Sequence, residues 1–310
     1  MLYALILLVL GGVLFACTRR KSPPDSLAAW LEQHFPGRFE IVDTQTEDPI
    51  RNMSFKIKRS VVADKSDTLL QIQLRWDKRE PGLGLSPESV DSGFARARPV
   101  LADARALLDA LKAAGLNRVC AGIRNGDAQV LLFEEPTPEY RKQTLSALKT
   151  ALRQWPAAGQ YGLNVQFMEP AVWKTEFDDI VPLAHWVRQD SWQTRKTILL
   201  LSLSEGDPYE PRAAEQALRI NTGSERLGQW ADAARPQAER WAAEHLKKPY
   251  AFFTNLAQYE AMEQKPGALL GFPFTHSGEA VEGAEIDGYV VGEYGLDSGT
   301  FERLRVEKAD

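Results

Sequence analysis

Between Gly278 and Asp297 the chain carries Glu279, Glu282, Glu285, Asp287, Glu293 and Asp297 with no lysine or arginine among them, and His276 stands just before. Carboxylates crowded in this way offer the hard oxygen donors that calcium prefers, and a histidine beside them supplies a base or a further donor. His276, Glu279, Glu282, Glu285 and Asp287 are therefore the candidate metal-binding residues of the chain. Their spacing does not follow a calcium loop, whose donors alternate around a fixed glycine. A solvated face of strand and loop accounts for the same residues, so no metal and no cofactor is assigned.

Other reactive groups stand further apart. Asp297-Ser298-Gly299-Thr300 resembles the Asp-Ser-Gly-Thr core of the pepsin-type aspartic proteases, over four residues. That resemblance implies a second aspartate facing the first, so that the two share one proton. The other Asp-Ser-Gly, at Asp91, leads into Phe94 and a helix, so Asp297 is read as part of a turn into the last strand. His34, His185, His245 and His276 are scattered and fall in no metal-binding pair of the HExxH kind. Cys120 alternates with apolar neighbours and has no histidine close in sequence to lower its pKa, which describes a structural thiol. With Cys17 as the only other cysteine, a zinc cluster of cysteines is excluded. Trp173, Trp186 and Trp192 lie close together and are read as core.

The segment whose physical role is most direct is the first. Leu2 to Thr18 is apolar and uncharged, and Arg19, Arg20 and Lys21 follow at once. Such a run is at the short end of what a helix needs to span a hydrocarbon core. Residues 1–18 are expected to form a transmembrane or signal-anchor helix in contact with membrane lipid through residues 2–18. Because basic residues stay on the cytoplasmic flank, a single-pass anchor with a cytoplasmic body is preferred. The alternative is a lipoprotein with an extracytoplasmic body, in which Leu14-Phe15-Ala16-Cys17 is the processing site and Cys17 carries the lipid. A cleaved secretory signal would want a basic residue before the apolar run, and none is present.

The remaining composition, 44% hydrophobic and 25% charged, is that of a globular chain. Charge is uneven, +4 over residues 1–174 and −9 over residues 175–310, and no basic-aromatic cluster marks a nucleic-acid surface. Residues 19–26, with Pro23-Pro24, form a stiff linker. Leu70, Ile72, Leu74 and Trp76 alternate with polar residues and predict a strand with one wet face. Phe94, Ala97, Leu101, Ala104, Leu108 and Leu111 predict a long amphipathic helix with Pro99 in its first full turn. Asn125-Gly126 predicts a tight hairpin, and Thr137-Pro138 a helix start. Ile198 to Leu201 predicts a strand buried on both faces, and Pro236 a kink or split in a helix from Ser224 to Lys247. The fold class expected is α+β, with largely antiparallel sheets packed with helices, divided into residues 27–172 and 173–310 or running on as one domain.

No catalytic motif accompanies these elements. The expected role is a membrane-anchored binding or scaffold module with another protein or a ligand as partner and no nucleic acid. The alternative is an enzyme with a cation-assisted acidic site near the junction of the two halves, around His276 and Glu279.

Overall fold

A computed structural model describes residues 26–46, 57–173, 179–188, 195–253, 258–262, 267–281 and 284–309. The expected anchor at residues 1–18 with Cys17, the linker as far as Asp25, Trp192 and Glu282 lie outside the described residues. Among the described residues no helix is long and apolar enough to cross a membrane. The chain divides into two compact units, with the break between Arg98 and Pro99.

In the first unit, helix α1 (Leu27–His34) is capped by Ser26, whose hydroxyl accepts the Ala29 N–H, and buries Leu27, Trp30 and Leu31. Strands β1 (Phe39–Thr46), β2 (Ile57–Asp64) and β3 (Asp67–Asp77) form an antiparallel sheet in that order. Leu70, Ile72, Leu74 and Trp76 are all buried, as their alternation requires. The Trp76 indole donates to Ser60 Oγ at 2.9 Å, so the largest side chain of that row enters the core without an orphaned N–H. Helix α2 (Pro87–Ala113) contributes Phe94, whose ring stacks on Phe39 with centroids 4.4 Å apart. Because α2 begins at Pro87, Pro99 lies in its interior and not in its first turn. Proline removes one backbone hydrogen bond there, and buried side chains on either side, Val90 and Phe94 before and Leu107, Leu108 and Leu111 after, hold the helix through it.

The second unit holds two sheets. The first is built from β4 (Val119–Arg124), β5 (Asp127–Leu132), β6 (Gly162–Met168), β7 (Thr197–Leu203) and β8 (Arg219–Ile220), paired in that order. Asn125 and Gly126 have φ of 53° and 88°, the left-handed pair that a two-residue hairpin demands. Only β5 and β6 run parallel, because helix α3 (Pro138–Gln154) returns the chain between them. Thr137 caps α3 through the Tyr140 N–H, with Pro138 at its first position. Helices α4 (Leu183–Arg188) and α5 (Pro211–Ala217) precede and follow β7. The expected boundary at 172/173 therefore runs between β6 and β7, which are hydrogen-bonded partners.

Helix α6 (Arg226–His245) leads into the second sheet, where β9 (Ala251–Phe252) pairs with one end of β11 (Gly267–Thr275), and β10 (Gln258–Ala261), β11, β12 (Gly288–Gly295) and β13 (Phe301–Lys308) follow in order. Every pairing in it is antiparallel, so the architecture is α+β with largely antiparallel sheets. α6 continues through Pro236 and is not split there, held by a buried row of Leu227, Trp230, Ala231, Ala234, Ala238 and Ala242. Packing of that row outweighs the lost hydrogen bond.

Two arginines tie these layers together. Arg141, in the first turn of α3 and with its side chain only 2% exposed, donates through Nη1 and Nη2 to both carboxylate oxygens of Asp297 at 2.8 and 2.6 Å. Nη1 also donates to the Pro136 carbonyl at 2.7 Å. Asp297 is thus the anchor of the β12–β13 turn onto α3, consistent with its reading as a turn residue. Arg226, at the first position of α6, donates to Glu135 and Glu169, which follow β5 and β6; these bonds, to Glu135 above all, hold its pKa above the ordinary arginine value.

The Arg141–Asp297 pair is unequal, since Asp297 is 41% exposed while Arg141 is not. Asp297→Ala leaves a buried cation unpaired and is expected to cost about 1–3 kcal/mol. The double variant Arg141→Leu/Asp297→Ala is expected to recover part of that loss, read as the urea midpoint at unchanged slope.

Candidate functional site

The β4–β8 sheet is dry on one face along its whole length and on the other over only part of it. Ala128, Val130 and Leu132 of β5, with Leu163, Val165 and Phe167 of β6, are buried on the first face. α3 lies over that face, with the Tyr140 ring edge-on to Phe167 at 6.2 Å. On the second face Cys120, Leu131, Phe133, Met168, Val181 and Trp186 form one buried cluster, with Val172 and Trp173 packed against it. Ile180 bridges to Ala121 along the free edge of β4, so the segment carrying Val181 and Trp186 folds back across the sheet. Cys120 is wholly buried in this cluster, which fits a structural thiol.

Beyond Trp186 the covering stops. The next row across the same face is Gly122, Gln129, Asn164 and Ser202, partners in register on β4, β5, β6 and β7. Gly122 belongs in this row for a steric reason: a Cβ there would stand 3.4 Å from both Trp186 Cζ2 and the Val181 carbonyl. With Gln166, Leu200, Thr197 and Asn221, these residues floor a cavity of about 400 Å³, walled by Trp186 and by Arg124, Asn125 and Asp127 of the hairpin. That volume is within the range of small-molecule sites.

The lining is a ladder of neutral polar groups. Gln166 Nε2 donates to Gln129 Oε1 at 3.5 Å, Thr197 Oγ1 donates to Gln166 Oε1 at 2.9 Å, and Ser202 Oγ donates to Asn164 Oδ1 at 2.6 Å. Asn221 Nδ2 donates to the Thr197 carbonyl at 3.0 Å, which holds the β8 side of the wall in place. In this arrangement Gln129 and Asn164 accept through their carbonyl oxygens, which leaves their amide N–H groups as the donors they can still offer. Trp186 is 3% exposed, and its indole N–H is buried with no hydrogen-bond partner. An orphaned buried donor costs free energy, so packing of the cluster around Trp186 has to offset it. The lining's charges are Arg124 and Asp127, a facing pair across the hairpin that sums to zero. The Arg124 guanidinium sits over the Trp186 ring, 5.7 Å from its centroid.

The acidic segment singled out from the sequence is arranged differently. Asp287 accepts from the His276 N–H at 2.6 Å and from Thr275 Oγ1 at 3.1 Å, which ties together the β11–β12 connection. The His276 ring pairs through Nδ1 with the Pro249 carbonyl at 2.9 Å. The Glu279 carbonyl accepts from Ser277 Oγ at 2.9 Å, and Glu285 lies in the connection between β11 and β12. Among the described residues, no three of His, Cys, Asp and Glu converge as a metal ion requires. Gln129, Asn164 and Gln166 are not among the candidates that the sequence singles out; the signal that marks them is that their strands carry amides there in place of charges. No protein-family model, no curated protein and no solved structure matches this chain.

The His276 N–H, then the Thr275 hydroxyl, hold the Asp287 carboxyl below its ordinary value of 3.8. A lowered carboxyl pKa stabilises the fold above the unfolded value, and that contribution disappears as pH falls through the folded one. Acidification below about pH 4 is expected to loosen the β11–β12 connection first, and Asp287→Asn to remove that part of the acid sensitivity, read by amide exchange in residues 275–287.

Proposed function

We propose that the chain is a membrane-tethered binding module whose β4–β8 sheet receives a small, neutral, polar ligand. The observation that carries this reading is the row of Gln129, Asn164 and Ser202 along the cavity, which runs in register from a buried amide to an exposed hydroxyl. A sheet face that served only to meet solvent would carry charges, and one that served only as core would be covered. Neutral amides and hydroxyls held in register on rigid strands instead provide directional hydrogen bonds at low ordering cost. The charge balance of the lining favours an uncharged molecule over a phosphate or a carboxylate.

The tether is residues 2–18, in lipid, with Arg19, Arg20 and Lys21 at the cytoplasmic surface. In the lipoprotein form of the same proposal, Cys17 carries the lipid and the body lies on the other side. The alkaline-wash behaviour of the full-length product tests the tether: it is expected to stay with vesicles at alkaline pH, and deletion of residues 2–18 to release it. Palmitate labelling lost on Cys17→Ala would assign the lipoprotein form.

The pocket is tested by melting the full-length protein against a panel of small neutral polar molecules. A ligand at about a hundred times its Kd stabilises the fold by roughly 2.7 kcal/mol. At least one member is expected to raise the Tm of the wild type, and Asn164→Phe, which fills the cavity floor, to abolish that rise. A panel with no effect on the wild type overturns the reading.

A further inference from the structure

The cavity on the β4–β8 sheet also constrains the chemical class of its ligand. This inference rests on the reading of that cavity as a binding site. We infer that the ligand is a saturated polyhydroxyl compound of the monosaccharide class, held by Gln129, Asn164 and Ser202.

Two properties of the lining lead there. The first is the mixture of donors and acceptors. Gln129 and Asn164 accept through their amide oxygens and so keep amide N–H donors in hand, beside the Asp127 carboxylate and the Ser202 hydroxyl. A hydroxyl both donates and accepts and turns about its C–O bond, so a ligand with several of them satisfies such a wall whichever way each amide points. A carboxylate or phosphate can only accept, and would place its charge beside Asp127.

The second is the lack of a stacking face. Trp186 is the aromatic residue of the lining, yet it is 3% exposed, Arg124 covers its ring, and the Nε1–Cζ2 edge is turned over Gly122. What it offers a ligand is a wall and no open π face. A planar base or other aromatic ring gains much of its binding from stacking on an exposed π face. Leu200, which shares the face of Gln166, instead presents aliphatic surface, suited to the C–H face of a sugar ring. A 400 Å³ space accepts one such ring with water to spare.

The experiment is a saturation-transfer NMR and calorimetric titration of the full-length protein in a detergent without a sugar headgroup. The probes are glucose, galactose, mannose and arabinose, with adenosine and uridine as planar rivals. At least one monosaccharide is expected to titrate to saturation, and Gln129→Ala and Asn164→Ala each to weaken it about tenfold. Ser202→Ala, which deletes one oxygen at the cavity rim, is expected to weaken it less and serves should either amide variant fail to fold. If no monosaccharide binds and a nucleoside does so in a Gln129-dependent way, the polyol assignment falls while the binding-module reading stands. If neither class binds and the wider panel of neutral molecules is also silent, both fall.

Discussion

Strand β6 has to be dry on one face along its length and dry on the other only where Met168 meets Trp186. That constraint organises the second unit. α3 closes the first face, and Val172, Trp173, Val181 and Trp186 pack over part of the second. The uncovered half is then obliged to carry groups that water or a ligand can satisfy, because backbone and side-chain dipoles on a half-open sheet are costly if left alone. Asn164 and Gln166 stand two residues apart on the same strand and face the same side, and Met168, the next residue in that row, is already inside the cluster. The border between core and site thus falls within a single strand.

Charged residues are used here to hold positions. Arg141 is buried and paired with a partly exposed Asp297, and Arg226 joins Glu135 to Glu169 at the ends of neighbouring strands. Such pairs gain little net stability, since desolvation offsets much of the Coulombic attraction. Their effect is to set where the β12–β13 turn and the start of α6 must sit, because any other placement would leave a buried guanidinium alone. The same logic explains Asp287, which holds the β11–β12 connection by accepting from the His276 N–H and the Thr275 hydroxyl. Crowded carboxylates in a sequence do not distinguish these uses, since a carboxylate that binds a cation and one that accepts backbone N–H groups look alike until the acceptor's neighbours are known.

Much of the secondary structure was legible from periodicity and turn chemistry. The alternation from Leu70 to Trp76 is β3, Asn125-Gly126 is the hairpin, Thr137-Pro138 opens α3, and Ile198 to Leu201 lies in β7. These signals are local, so the residues that carry them also decide them. The prolines are less legible: Pro99 lies in the interior of α2 and not in its first turn, and Pro236 does not split α6. One missing hydrogen bond is weighed there against tertiary packing, which no window of sequence displays. β10 is four residues long and depends on β11 for its existence, so it too left no local trace.

By itself, then, the sequence determined the α+β class, the positions of most strands and helices, and an apolar, basic-flanked N-terminal segment, because each depends on neighbours a few residues away. Tertiary structure decided which wet face becomes a cavity. Gln129, Asn164 and Ser202 come from three strands joined in register, and Trp186 reaches them from a helix that arrives after two of those strands and before the third. Strand order and register place them side by side, and neither is written in the spacing of any one strand. The physical reason is that register is a property of pairs, set by which faces the whole sheet must bury.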